Sequence, residues 1–298
     1  MNYEPLIERD LDATGRVVRD FVSANGAEEA WKAVARFAVL AYAPSQHAKH
    51  ALLACLSAWE IRETLGARFE DALVECARYA ASSRQPWSEP PILDPPRDTS
   101  GGSLHGDRHA AERWLAARYQ SDGFAGEFFE AAAEDFEDLG HKLILANAAW
   151  KLANLLGDKG RYAALRVGVW EMAAYRGEPY REVGRAVTVG EVVEQMVAND
   201  GDIESAHAVF LYDAALQTGQ EKRVADYLAS SEQRVASRGE VPTRHSLPAT
   251  RPIYPYARDC GAFLKSHAVA QRLDDPRIIA AAWENLQHGP SLESFSFA

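Results

Sequence analysis

The amino-acid sequence predicts an all-α protein built from repeated antiparallel helical hairpins. Apolar residues recur at spacings of three and four along almost the whole chain, and no region shows the sustained alternation typical of strands. The segments 50–87 and 141–180 align in order, because each begins with a histidine, carries a tryptophan nine residues later and ends near a proline followed by an aromatic residue. Such internal repetition predicts an array of like units. We expect the array to be wound into an α/α superhelix or closed into a helical bundle.

Composition excludes several classes of protein. A chain of 298 residues that is 47% hydrophobic supports a buried core, and we expect a single domain over 1–298. The formal charge of −11 argues against a nucleic-acid or anionic-membrane binder. Three scattered cysteines do not predict a disulfide framework. Without a signal peptide pattern or an apolar run long enough for a membrane span, a cytoplasmic protein is expected, of undetermined oligomeric state.

Punctuating residues divide the chain into helices. Residues 1–15 are an acidic lead-in, and 15–43 predicts two helices separated at Asn25-Gly26. Four hairpins are expected near 47–87, 141–180, 204–236 and 260–288. The proline-rich segments 84–106 and 238–258 are predicted connectors, the first of which is either a lid over a cleft or a tether.

Histidines open the first helix of each predicted hairpin. In a stacked array, equivalent positions project to one side, so these residues are expected to line a shared cleft. A histidine at a helix N-terminus feels the positive end of the helix dipole, which favours neutral imidazole, the form that a general base or metal ligand needs. His47 lies three residues before His50 and shares its helix face. The four opening histidines are His50, His141, His207 and His267.

Other interpretations of these residues stay open. Each histidine also fits a plain capping or packing role. A metal site is not favoured, because H-E-x-x-H does not occur, although two or three histidines are normal metal ligands. Trp59 and Trp150 occupy equivalent positions, either as core between hairpins or as substrate-binding residues. A run of acidic residues predicts a solvated helix face, and it comprises Glu130, Glu134, Asp135, Glu137 and Asp138.

The histidine-led segments resemble questin oxidase-like proteins. The resemblance rests on His50-Ala-Leu-Leu, His141-Lys-Leu-Ile and His207-Ala-Val, and on the run Asp274-Asp275-Pro-Arg-Ile-Ile-Ala-Ala-Ala. It spans about residues 45–290, through short motifs of moderate specificity. The chain departs from the family pattern at Lys49, where a glycine or aromatic residue is common.

This resemblance implies an all-helical oxidoreductase that acts on aromatic, polyketide-type small molecules. Family members perform Baeyer–Villiger-type oxygen insertion or ring cleavage with NADPH and molecular oxygen. By the resemblance, His50, His141 and His207 are catalytic, while His47, His267, Trp59 and Trp150 are expected to contact the substrate. Two other classes remain alternatives: a non-catalytic helical-repeat scaffold that binds a protein partner, and a histidine-ligated, metal-dependent oxygenase or hydrolase.

Overall fold

The protein is all-α, as predicted. A computed structural model describes residues 1–42, 48–83, 94–174, 177, 186–238 and 255–286, and these ranges contain no strand. Short 3₁₀ turns occupy 66–68 and 138–140. The helices are α1 Glu4–Glu8, α2 Leu11–Asn25, α3 Ala27–Leu40, α4 Ala48–Glu60, α5 Arg62–Leu65, α6 Phe69–Ser83, α7 Arg108–Ala116, α8 Phe124–Ala132, α9 His141–Leu156, α10 Asp158–Ala174, α11 Val189–Ala198, α12 Ile203–Thr218, α13 Glu221–Arg238, α14 Pro255–Leu273 and α15 Arg277–Leu286.

Each of the four predicted hairpins corresponds to a pair of helices in contact. The pairs are α4 with α6, α9 with α10, α12 with α13, and α14 with α15. The first members of the pairs also touch one another in a closed cycle, because α4 and α12 each contact both α9 and α14. Residues of α4 and α9 are buried on every face over much of their length, as expected for helices at the centre of a protein. These contacts favour the closed bundle.

The N-terminal helices cover one side of this centre. The structure separates α2 from α3 at Gly26, which has a positive φ of 85°, where the sequence predicted the break. Both α2 and α3 pack on α6, and the indole nitrogen of Trp31 in α3 donates a buried hydrogen bond of 2.8 Å to the carbonyl oxygen of Cys55 in α4. The lead-in 1–15 contains α1 and the first turn of α2.

Several boundaries differ from the predictions. The first helix of the hairpin predicted at 47–87 ends at Glu60, and α5 follows as a separate turn before α6. Asp202 caps α12 by accepting a hydrogen bond of 2.8 Å from the Ser205 amide, so that His207 lies in the second turn of its helix. His267 lies in the second half of α14. The parts 84–93 and 239–254 of the two predicted connectors lie outside the described residues.

None of the described helices combines the length and the apolar character needed to cross a lipid bilayer.

Candidate functional site

Three of the predicted site residues meet at one point. The Nε2 atom of His141 lies 3.2 Å from Nε2 of His50 and 3.2 Å from Nε2 of His207. The ring centroids are 4.7 to 6.2 Å apart, and the rings stand edge to face. Helices α4, α9 and α12 therefore bring residues that are 91 and 66 positions apart in the chain into one cluster. We refer to these three residues as the histidine cluster.

A left-handed turn delivers His141 to the cluster. Three successive residues have positive φ angles, namely Asp138 at 53°, Leu139 at 58° and Gly140 at 77°. A β-carbon on Gly140 would lie 2.6 Å from a methyl carbon of Leu211, so that both the backbone and the packing require glycine. Left-handed conformations are unfavourable for residues other than glycine, by roughly 1 kcal/mol or more each, and they concentrate at functional sites. Backbone strain at these residues therefore accompanies the start of α9 at His141.

The second nitrogen of two of the rings is held by the backbone. Nδ1 of His141 lies 2.5 Å from the carbonyl oxygen of Asp138, and Nδ1 of His207 lies 2.5 Å from the carbonyl oxygen of Ile203. A carbonyl oxygen only accepts hydrogen bonds, so we assign the proton to Nδ1 in both rings. In a neutral imidazole, Nε2 then carries a lone pair and no hydrogen.

This assignment leaves two lone pairs facing each other. The Nε2 atoms of His141 and His207 are separated by the distance of a hydrogen bond, but neither neutral ring has a proton to donate across it. Two acceptors at this distance repel each other unless a cation lies between them. The arrangement therefore fits a shared proton or a shared metal ion.

The spacing of the nitrogens agrees with a metal site. One ring nitrogen from each histidine lies within 4.8 Å of the other two. Tetrahedral coordination with metal–nitrogen bonds of about 2.0–2.1 Å separates the ligand nitrogens by roughly 3.3 Å. Nδ1–H bonded to a backbone carbonyl is also the usual support of a metal-ligating histidine. The residues present thus fit a divalent ion that imidazole prefers.

A buried polar network adjoins His141. Nζ of Lys49 donates to Oδ2 of Asp138, and it donates a bond of 2.7 Å to Oε1 of Glu171. The Tyr42 hydroxyl donates to the other oxygen of Glu171. Oδ2 of Asp138 lies 3.4 Å from Nδ1 of His141. The network thus connects the core of the protein, through α4 and α10, to the left-handed turn. We call Tyr42, Lys49, Asp138 and Glu171 the lysine network.

Two members of the predicted acidic face are not solvated. Asp135 is 6% exposed and pairs at 2.5 Å with Lys142, which is also buried. The Asp138 side chain is 24% exposed and belongs to the lysine network. The expectation of a solvated face was wrong for these two residues, because the chain leaves helical geometry after α8 and turns its carboxylates inward to meet lysines.

The lysine network favours the charged forms of Asp138 and Lys49. Burial raises the pKa of the Asp138 carboxyl, but the hydrogen bond to His141 and the charge of Lys49 outweigh it and lower the pKa to about 2. Burial also opposes the charge on Lys49, yet the neighbouring carboxylates of Glu171 and Asp138 raise its pKa above the usual value. Two carboxylates and one ammonium leave one net negative charge beside the histidine cluster.

The environment of His207 favours the neutral ring. Its pKa is lowered to about 3, chiefly by burial and further by the proximity of His141, and the bond to the carbonyl of Ile203 only partly compensates. The neutral form was expected from a helix N-terminus. In the structure, the main cause is instead the burial of the ring among its neighbours.

The remaining predicted site residues lie away from the cluster or outside the described residues. His47 is outside the described residues. His267 does not join the cluster; its ring packs edge to face on Phe263 with centroids 4.4 Å apart, and burial lowers its pKa. Nine residues of α-helix, about 14 Å, separate Trp59 from His50 and Trp150 from His141 along their helices.

The two tryptophans pack at the other ends of α4 and α9. Trp59 stacks on Trp31 with ring centroids 4.4 Å apart, and Trp150 lies edge to face against Phe129 at 5.6 Å. Trp59 also lines a cleft of about 430 Å³ together with Glu60, Lys151 and Arg272, among other residues. Both positions agree with the core interpretation of these residues. The histidine cluster is not part of this cleft.

Sequence reasoning missed the lysine network, although a signal was present. Lys49 stands at the start of an apolar run in α4, and Glu171 interrupts the apolar run of α10. A single charged residue inside an apolar run is buried with the helix and needs an oppositely charged partner. Two such residues of opposite sign on different helices are therefore candidates for a buried pair.

Comparison with known proteins adds no relative. No protein-family model, no curated protein and no solved structure matches this chain. The resemblance to questin oxidase-like proteins accordingly stays a prediction, and the site must be interpreted from its own geometry.

Proposed function

We propose that His50, His141 and His207 bind one divalent transition-metal ion, and that the protein is a metal-dependent enzyme acting on a small organic molecule. The observation that carries this proposal is the convergence of three Nε2 atoms, two of them with inward lone pairs imposed by backbone carbonyls. A metal ion satisfies those lone pairs at the distances found. The net negative charge of the lysine network also favours a cation.

Each part of the chain has a defined task in this proposal. The backbone carbonyls of Asp138 and Ile203 keep two rings in the Nδ1–H form, and the surrounding helices exclude water from the inner side of the cluster. An ion held by three neutral imidazoles supplies Lewis acidity, a water of lowered pKa and, where the ion is iron or copper, one-electron chemistry. Three protein ligands leave further coordination positions open.

The rim of the site favours an apolar substrate. Leu139 is 40% exposed and lies two residues before His141, and Ile203 is 53% exposed and provides the carbonyl that holds His207. Large apolar side chains that remain exposed beside a polar centre are typical of sites for apolar ligands. This supports the aromatic, polyketide-type substrate class implied by the resemblance.

The reaction class we propose is oxidation with molecular oxygen, at an iron or copper ion. The electron donor in this proposal is NADPH, which rests on the resemblance alone. A zinc ion at the same three residues would instead favour hydrolysis. The identity of the bound ion therefore separates an oxygenase from a hydrolase.

A second candidate is a metal-free oxidoreductase in which the cluster acts as a general base. The separation of 3.2 Å between Nε2 of His50 and Nε2 of His141 is also that of a hydrogen bond, if His50 is protonated on Nε2. The pair would then accept a proton from a phenol or an enolisable ketone.

Elemental analysis tests the proposal. The protein is purified without an affinity tag, dialysed against metal-free buffer, and assayed for transition metals by mass spectrometry. We expect about one equivalent of iron, copper or zinc per chain. Iron or copper predicts oxygen uptake with phenolic and quinone-type aromatic compounds. A protein without metal that fails to take up iron, copper, zinc or cobalt on titration would contradict the metal site and leave the second candidate.

A further inference from the structure

The lysine network is unusual for a stabilising element. Lys49 and Glu171 are fully buried, and Tyr42 is 1% exposed. Burying charges carries a desolvation cost that well-packed apolar side chains of similar volume avoid. A network of this kind in the centre of an apolar bundle therefore calls for a role that apolar side chains cannot perform.

The lysine network reaches the histidine cluster at His141. Among the residues that the structure describes, His141 is the one histidine of the cluster whose ring contacts a carboxylate, that of Asp138. Asp138 contacts His141 twice, through its carbonyl oxygen at 2.5 Å from Nδ1 and through Oδ2 at 3.4 Å from the same atom. Nζ of Lys49 bonds that same Oδ2. Lys49 thus fixes Asp138, and Asp138 in turn fixes the ring of His141.

The backbone explains why such an anchor is needed. Asp138 is itself in the left-handed region, as are the next two residues. A turn of this kind relaxes when nothing holds it, and relaxation would swing the Asp138 carbonyl away from His141. The ammonium of Lys49 is fixed in turn by Glu171 on α10, so that the turn is tied to the core of the bundle.

We infer that Asp138 and Lys49 are positioning residues for the metal centre, which set the orientation and the tautomer of His141. The inference rests on the proposed function. Groups that support metal-ligating histidines in this way change metal affinity by roughly 10- to 100-fold when removed, without touching the metal.

The test uses two variants of the full chain. Asp138→Asn keeps the backbone carbonyl and removes the carboxylate charge, and Lys49→Met removes the anchor at nearly constant volume. We expect the dissociation constant for Zn²⁺, measured by competition with a chromophoric chelator, to rise about 10-fold for the first and up to about 100-fold for the second. The visible absorption of the Co²⁺-loaded variants should shift, because the geometry around the ion changes.

A second readout needs no metal. Long-range ¹H–¹⁵N NMR spectra of the metal-free protein distinguish the Nδ1–H from the Nε2–H form of each ring. In the wild type, His141 and His207 should both be in the Nδ1–H form. In Asp138→Asn, the His141 signals should move toward a mixture of the two forms while those of His207 stay unchanged. Lys49→Arg, which keeps the charge, should preserve the wild-type pattern.

Lys142→Met is the matched control. This substitution breaks the buried ion pair of 2.5 Å between Lys142 and Asp135. Lys142 lies in the first turn of α9, next to His141, but Asp135 does not contact the histidine cluster. We expect its metal affinity to stay within about 2-fold of the wild type despite a loss of stability.

The outcomes separate the two proposals. If the wild type binds no metal, the proposed function fails, and the NMR spectra of Asp138→Asn still decide whether the network positions His141. If metal binds but Asp138→Asn leaves the affinity, the Co²⁺ spectrum and the His141 tautomer unchanged, the positioning role is overturned. Should Lys49→Met not fold, Asp138→Asn alone decides by the same measurements.

Discussion

The two ends of helices α4 and α9 carry buried charges for different purposes. At the cleft end, Glu60 accepts bonds of 2.6 Å from Lys151 and from Arg272, and Arg272 donates bonds of 2.9 and 2.7 Å to the two oxygens of Asp213. All four oxygens of these two carboxylates thus have a cationic partner. At the histidine end, Nε2 of His141 and Nε2 of His207 face each other at 3.2 Å, and neither neutral ring has a proton to donate across this distance.

This difference distinguishes a structural network from a candidate site. Both regions are polar and partly buried, and both join helices that are distant in sequence. The carboxylates at the cleft end are paired with cations of the protein itself, whereas the facing Nε2 lone pairs of His141 and His207 need a proton or a metal ion between them. This unfilled bonding capacity, and not burial or charge alone, is the reason that we propose the histidine cluster as a site.

The largest expected effect comes from removing a member of the cluster. His141→Ala eliminates the ligand that contacts both other rings, and we expect metal affinity to fall by at least about 1,000-fold. His267→Ala is the matched control, since it removes a half-buried histidine that lies on α14 outside the cluster. Isothermal titration of both proteins with Zn²⁺ checks the prediction. Equal affinities would mean that the cluster does not bind the ion.

The lysines at the two ends should respond to the same substitution in opposite ways. Lys49→Met leaves the buried carboxylate of Glu171 and the partly exposed carboxylate of Asp138 without their shared cation, and we expect a loss of about 3 kcal/mol in the free energy of unfolding. Urea denaturation at pH 7 measures this value. A loss below about 1 kcal/mol would show that the lysine network is not held as the structure describes.

The left-handed turn offers a comparison between two glycines that share the left-handed helical conformation. Gly140→Ala places a β-carbon 2.6 Å from Leu211 at a φ of 77°, and we expect a cost of about 2–3 kcal/mol. Gly219→Ala, at the end of α12, meets no atom within 4 Å at a φ of 71°, and should cost only about 1 kcal/mol. Thermal unfolding of the two variants measures the difference. If both cost the same, the close packing of the turn on α12 is disproved.

The smallest effect is expected at Lys265, behind the cleft end. Its pKa is lowered to about 8, chiefly by burial and further by the neighbouring Arg272, and Asp213 and Glu60 only partly compensate. Without the Lys265 charge, the two carboxylates of this region, Glu60 and Asp213, still bond to two cations, Lys151 and Arg272, and the charges sum to zero. We therefore expect a gain of about 1 kcal/mol in stability at pH 7.

The same lysine predicts a pH dependence. Its pKa is lower in the folded state than in the unfolded state, so between about pH 8 and pH 10.5 the unfolded state binds more protons and stability rises with pH. In Lys265→Met, this rise should be smaller. Denaturation curves at pH 7, 9 and 10 measure it, and identical slopes in the two proteins would contradict the depressed pKa.

The fold was largely accessible from the sequence, because helical periodicity and glycine punctuation act locally. Periodicity predicted the helix pairs, and the repeated histidine positions predicted that His50, His141 and His207 would meet. His267 does not join the other three, because α14 begins at Pro255 and places His267 in the second half of the helix. The start of a helix depends on capping and not on the repeat alone. Asp138 and Glu171 were not recognised because their partner, Lys49, lies 89 and 122 positions away in the chain. Neither periodicity nor short motifs report pairing over such separations.

The most direct test of the metal centre is a crystal structure with diffraction data collected above and below the absorption edge of the bound metal. We expect one anomalous peak at about 2.0–2.2 Å from the Nε2 atoms of His50, His141 and His207. No peak there in crystals soaked with Zn²⁺ or Co²⁺, with the three rings bonded only to one another or to water, would contradict the metal centre.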